Sequence, residues 1–132
     1  GFETVLIDPR AVLAASDRFP VPPDHTIIRW PAEAFASLEL TDQTYAVVLT
    51  HDPKIDDVAL EFLLRSPVTY IGALGSRVTQ EKRKLALLAG GFNEREIARI
   101  HGPVGLKIGG RSPEEIALSI MAEIVQVRNA RR

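Results

Sequence analysis

"TYAVVLTHDPKIDDVALEFLLRSPVTYIGALGSR", Thr44 to Arg77, places an apolar run, a helix-length segment and a second apolar run in succession. Tyr45 to Leu49 is apolar without a break. That pattern suits a strand covered on both faces, as in a parallel sheet. Asp52 can cap a helix that carries Pro53 in its first turn. Val58, Ala59, Phe62 and Leu63 then share one face, and Ser66-Pro67 ends the helix. "VTYIGAL" reads as the next strand and runs into Gly75, Ser76 and Arg77. A strand, a helix and a second strand in this order predict a parallel pair joined by a right-handed crossover.

The same alternation continues outward. Toward the N-terminus, "ETVLIDPR" gives a short strand from Val5 to Ile7, closed by Asp8-Pro9, because proline removes a ladder donor. "SDRFPVPPD" reads as a loop, "HTIIRW" (25–30) as a strand, and "PAEAFASL" (31–38) as a short helix with Pro31 at its start. Toward the C-terminus a helix is expected from about Val78 to Ala89, burying Leu85 and Leu88 and stopping at Gly90-Gly91. Within it, Glu81 to Lys84 ("EKRK") reads as a solvated face. Asn93 and Glu96 form a capping-box pattern for a short helix that ends near His101. "GLKIGG" (105–110) reads as a short strand or extended loop. Ser112, Pro113 and Glu115 open a last helix that buries Ile116, Ile120, Ile124 and Val127. The chain is therefore expected to be one α/β domain over residues 1–132, with a mostly parallel sheet.

Composition narrows the function. The chain has 132 residues, 45% of them hydrophobic, enough for one substantial core. A net charge of −1 argues against nucleic-acid or anionic-membrane binding, which calls for a basic excess. No apolar run is long enough to span a bilayer. There is no cysteine, which removes disulfides, thiolate nucleophiles and cysteine metal sites, and fits a reducing, cytoplasmic setting. Three histidines at 25, 51 and 101 have no metal-ligand spacing, so no metal site is expected. His25 and His101 read as surface or helix-end residues. The chain begins at Gly1, which fits a fragment of a longer protein.

Parallel α/β sheets bind ligands beyond the carboxyl ends of their strands. Polar residues just after apolar runs are therefore the candidates, and three corners qualify. At Gly72 to Arg77 the glycines allow close approach, and Ser76, Arg77 and the following first-turn N–H groups favour an anion. The alternative is a tight turn with Ser76 as a plain cap. Gly-x-x-Gly-Ser is neither the dinucleotide fingerprint nor a Walker loop. At Thr50-His51-Asp52, His51 could hold a ligand or move a proton, or pack at a strand end, whereas Asp52 reads first as a helix cap. Asp8 could accept from a ribose hydroxyl but reads first as an Asp-Pro turn, since no glycine-rich loop lies upstream of it.

"RFP" after "DPR", then "THDP", "YIGALGSR" and "IHGPVGLKIGGRSPEEIALSIMAEI" together resemble the C-terminal Rossmann-like domain of the XdhC/CoxI family, from Asp8 to about Val125. The resemblance implies a three-layer Rossmann-like fold. It also implies an accessory factor for molybdenum hydroxylases of the xanthine or carbon monoxide dehydrogenase type. Such a factor binds molybdenum cofactor (molybdopterin), protects it during sulfuration and passes it to the apo-enzyme. The implied cofactor-binding residues are Asp8, Thr50, His51, Asp52, Gly72, Gly75, Ser76 and Arg77. The client hydroxylase is the implied partner, with a cysteine desulfurase and a second copy of the chain as further candidates. The family's N-terminal region and the glycine-rich strand-turn before Gly1-Phe2 are absent, so the sheet is expected to lack its first strand. No catalytic residue stands out: neither a Tyr-x-x-x-Lys pair nor another proton-transfer set is present. An NAD(P)-dependent oxidoreductase or nucleotide-binding subunit is the competing expectation, and a pure assembly domain is a third.

Overall fold

The computed structural model describes residues 1–131. They form two compact units, Gly1–Glu39 and the remainder from Leu40 onward.

In the first unit, β1 (Val5–Ile7) pairs in parallel with β2 (His25–Ile27), with Leu6 opposite Thr26. A short helix α1 (Ala11–Ala14) and a 3-10 turn (Ser16–Arg18) occupy the segment between them, and α2 (Pro31–Ala36) follows. Pro31 opens α2 at a position where its missing N–H costs nothing. Neither α1 nor the 3-10 turn has a signal in the sequence pattern.

In the second unit, β3 (Tyr45–Val48), β4 (Tyr70–Ala73) and β5 (Ile100–His101) make a parallel sheet in that order. Alternate side chains of β4 pack on opposite faces. Tyr70 lies toward α6 (Pro113–Ala130), where Ile120, Ile124, Ile116 and Val127 meet Tyr45, Val47 and Val104. Ile71 and Ala73 are fully buried on β4. Helix α3 (Pro53–Leu64) buries Ile55, Ala59, Leu60, Leu63 and Leu64. The caps stand where the sequence puts them: Asp52 on α3, Ser76 on α4 (Arg77–Ala89), Asn93 on α5 (Glu94–Ile97) and Ser112 on α6.

Both sheets are parallel, with strand order β1-β2 in the first unit and β3-β4-β5 in the second. The fold is the expected α/β arrangement of parallel, Rossmann-like sheets.

Three local expectations fail. Leu85 and Leu88 of α4 are exposed, and the buried positions are Arg83 and Leu87. "EKRK" is therefore not wholly a solvated face: Arg83 points inward because two carboxylates and a carbonyl are there to receive it. The short helix α5 ends at Ile97 rather than near His101, because the last strand is Ile100–His101, and "GLKIGG" takes the extended-loop form. Two paired residues give too short an apolar signal to separate from the helix before them.

Candidate functional site

Because β3, β4 and β5 run parallel, their carboxyl ends lie at one end of the sheet. Two backbone bonds carry the ladder past the strands: Leu74 N–H donates to the Val48 carbonyl (2.9 Å), and Val104 N–H to the Ala73 carbonyl (3.2 Å). The loops Thr50–Asp52, Leu74–Arg77 and Gly102–Gly105 are thereby brought side by side. Of the expected residues, Thr50, His51, Asp52, Gly72, Gly75, Ser76 and Arg77 all belong to this end.

The Gly75 corner presents donors. Gly75 has φ +141°, a region that suits glycine, and a Cβ there would lie 3.0 Å from Thr79 Cγ2. The Ser76 hydroxyl accepts from Thr79 N–H at 3.3 Å and caps α4. The corner's carbonyls are occupied by the protein itself. Gln80 Nε2 donates to those of Ala73 (3.1 Å) and Gly75 (3.3 Å), and Arg83 Nη1 donates to that of Leu74 (2.8 Å). What remains outward is the start of α4, the exposed Ser76 hydroxyl, which also pairs with Thr79 Oγ1 at 3.3 Å, and the exposed Arg77, whose guanidinium has no ion-pair partner among the described residues. A surface whose acceptors are satisfied internally and whose donors face water is matched to an anion.

The neighbouring loop is built on Asp56, only 1% exposed. Its carboxylate accepts from Thr50 N–H (3.2 Å), Thr50 Oγ1 (2.5 Å) and His51 N–H (2.9 Å). Thr50 Oγ1 in turn accepts from Asp52 N–H at 3.1 Å. His51 sits at φ 65°, an unusual backbone for a non-glycine residue, and these bonds hold it there. Its imidazole is on the surface. Asp52 accepts from Lys54 N–H at 3.0 Å, so its cap role is realised. Beside it, burial pushes the Asp57 carboxyl up despite the nearby Arg83 charge.

Gly72 is explained by packing. An added Cβ would stand 2.5 Å from Val104 Cγ2 and 2.7 Å from the Tyr70 hydroxyl. Below the third loop, Tyr70 OH donates to Glu123 Oε1 at 2.6 Å, and Gly105 N–H donates to the same oxygen at 3.1 Å. His101 stacks on Tyr70 with ring centroids 4.8 Å apart, and its Nδ1 lies 3.7 Å from Glu123. His101 is thus half-buried at a strand end, not a surface residue. Burial, then the Glu123 hydrogen bond, push the Tyr70 hydroxyl above its ordinary range.

An open cleft of about 350 Å³ lies beside the corner, lined by Gln80, Arg83 and Leu87 of α4, Ile97 of α5, and Ile100 and Gly102. Gly102 belongs both to the cleft and to the third loop, and Gln80 links the cleft to the second loop through its bond to the Gly75 carbonyl. Among the described residues no group of three or more His, Asp or Glu could hold a metal ion, and no helix is long and apolar enough to cross a membrane.

Asp8 stands in the N-terminal unit. Arg10 grips its carboxylate with Nε to Oδ1 (2.9 Å) and Nη2 to Oδ2 (2.8 Å), while Arg10 N–H adds a third bond. The Arg10 side chain holds this carboxyl below its usual range. The Asp-Pro-Arg turn accounts for Asp8 by itself.

Sequence reasoning missed Asp56, Arg83, Gln80 and Glu123. Their partners lie up to 53 residues away along the chain, and each occupies a helix position where a polar residue normally meets water.

Comparisons with known proteins agree with this architecture. The chain is 36% identical over 128 residues, 97% of its length, to a protein of Bacillus subtilis strain 168 described as a probable xanthine dehydrogenase subunit. It is 34% identical over 104 residues, 79% of its length, to the molybdenum cofactor insertion chaperone PaoD of Escherichia coli K12. A crystal structure of a xanthine dehydrogenase from Bacillus halodurans superposes on the whole chain with a TM-score of 0.82 at 32% identity. The chain spans 36%, 32% and 37% of these three proteins, about a third of each. The model of the XdhC Rossmann domain matches residues 1–124, and the chain belongs to that family.

Proposed function

We propose that the chain is the cofactor-handling domain of an accessory factor. It binds molybdenum cofactor, supports its sulfuration and passes it to a xanthine dehydrogenase-type hydroxylase. The observation that carries this reading is the donor-faced corner at Gly75–Arg77, whose carbonyls are already taken by Gln80 and Arg83. The donor set fits the cofactor's phosphate: a hydroxyl, first-turn N–H groups and a guanidinium. Bound molybdenum cofactor would supply the metal, held by the dithiolene of its molybdopterin. The chain's own residues hold and orient it, with His51 and Thr50 on the adjacent loop. PaoD, a molybdenum cofactor insertion chaperone by name, is a relative that supports the same reading. A cysteine desulfurase is the proposed sulfur source, the factor works in the cytoplasm, and a second copy of the chain is a proposed partner.

The test is reconstitution of an apo molybdenum hydroxylase with cofactor, with and without the protein. A higher active fraction and direct molybdopterin binding are expected. Arg77→Ala should weaken molybdopterin binding by about 1.5–3 kcal/mol, the range for a charge-assisted hydrogen bond. Absence of both binding and activation, together with substrate oxidation by NAD(P), would replace this reading with the oxidoreductase one.

A further inference from the structure

We infer that Asp56 and Arg83 form a buried clasp that joins the Thr50–Asp52 loop and the Leu74–Arg77 loop into one mechanical unit. As positioning residues they present both loops to a ligand together. The ligand clause rests on the proposed cofactor reading; the clasp itself does not.

The two side chains come from different helices, 27 residues apart, and both are buried: Asp56 is 1% exposed and Arg83 8%. Asp56 faces the first loop and takes three donors from it. Arg83 faces the second and spends Nη1 on the Leu74 carbonyl. Between them Arg83 Nη2 stands 3.4 Å from Asp56 Oδ2, while Arg83 Nε faces Asp57 at 3.7 Å. Each partner therefore has one hand on a loop and one on the other.

Thermodynamic stability alone does not account for such a pair. A buried ion pair returns little net stability over apolar residues of the same volume, because desolvation offsets attraction. Its geometry, in contrast, is demanding. His51 keeps φ 65° only while Asp56 receives its N–H. Gly75, at φ +141°, packs beside the other member: a Cβ there would lie 3.0 Å from Thr79 Cγ2 and 3.3 Å from Arg83 Nη1. The two backbone positions with unusual φ in these loops thus adjoin the pair, His51 through a hydrogen bond to Asp56 and Gly75 through packing that Arg83 shares with Thr79. Loss of either member should free both loops.

Native-state amide exchange in the protein tests this by reading across the pair. Arg83→Gln touches neither Thr50 nor His51, yet their amide exchange should rise at least about tenfold. Asp56→Asn replaces one of the two acceptor oxygens with an amide donor, so either Thr50 or His51 loses its acceptor, and the Thr79 amide, bonded to Ser76 of the second loop, should quicken similarly. Amides in the middle of α3 should keep their wild-type ratio to global unfolding. Exchange changes confined to the mutated side would overturn the clasp. So would a uniform rise that merely tracks lowered global stability. If Arg83→Gln does not fold, Arg83→Lys is read in the same way, since one ammonium cannot serve all three partners. Molybdopterin titration of the wild-type protein runs alongside. Failure of the wild type to bind sinks the cofactor reading, while the exchange pattern still decides the clasp. If the wild type binds, Arg83→Lys should bind molybdopterin several-fold more weakly, and unchanged affinity would overturn the positioning role.

Discussion

Tyr70 shows how one buried residue carries a condition-dependent share of the fold. It is 1% exposed, and its hydroxyl donates to Glu123. Burial and the Glu123 carboxylate raise its pKa in the folded state. A group raised on folding contributes stability that is fully present below its unfolded pKa and lost above it. The unfolded value is about 10. Stability should therefore hold up to about pH 9 and fall above about pH 10, by up to about 1.4 kcal/mol per pH unit. Urea midpoints of wild type and Tyr70→Phe between about pH 8 and 11 check this. The variant should be less stable at neutral pH by about 1.5–3 kcal/mol, having lost a hydrogen bond to a charged group. It should also lack the alkaline slope attributable to residue 70. Parallel slopes would show that Tyr70 is not the titrating group. Gly72, on the same face of β4, leaves the room that this phenol and Val104 occupy.

Among the elements, α6 is the best specified. Its cap is reciprocal: Ser112 Oγ accepts from Glu115 N–H at 3.2 Å, and Glu115 Oε1 accepts from Ser112 N–H at 3.2 Å. Ser112→Ala should cost about 1 kcal/mol, within the usual range for a lost N-cap, and Ser112→Asp should recover most of it. Thermal melts of the three proteins give the answer, and an unchanged melting temperature in Ser112→Ala would remove the cap from the account. Helix α4 is the opposite case. Its three leucines at 85, 87 and 88 fit more than one helical face, and only Leu87 is buried, one turn from Arg83. The pattern of the helix could not choose, because the deciding partners, Asp56 and Leu74, lie elsewhere in the chain. Arg99 is similar. It closes the α3–β4 turn by donating to the carbonyls of Leu64, Ser66 and Val68, 31 to 35 residues away.

For the whole molecule, the division of the core sets the expectation. Among the described residues, the buried apolar side chains before Leu40 are the small ones of Ala14, Pro31 and Ala34. A segment of about 40 residues with so little core seldom folds alone. Residues 40–132 should therefore fold as a cooperative unit in isolation, and residues 1–39 should remain unfolded. Circular dichroism and amide dispersion in NMR spectra of the two pieces check this. A cooperative melt from residues 1–39, or a disordered 40–132, would contradict it.

Features settled within a few residues were legible in the order of amino acids. Continuous apolar runs make strands, Asp52, Ser76, Asn93 and Ser112 start helices, and their alternation makes parallel sheets. The rule that ligands meet strand carboxyl ends then selected Thr50 to Asp52 and Gly75 to Arg77, and the structure sets those loops side by side. Which polar side chains go inside was decided later, by the folded chain. Asp56, Arg83, Gln80 and Glu123 look like ordinary solvated helix residues until their partners arrive from other elements. A charge or amide can be buried only where matched donors and acceptors converge, and that convergence does not exist before the chain folds.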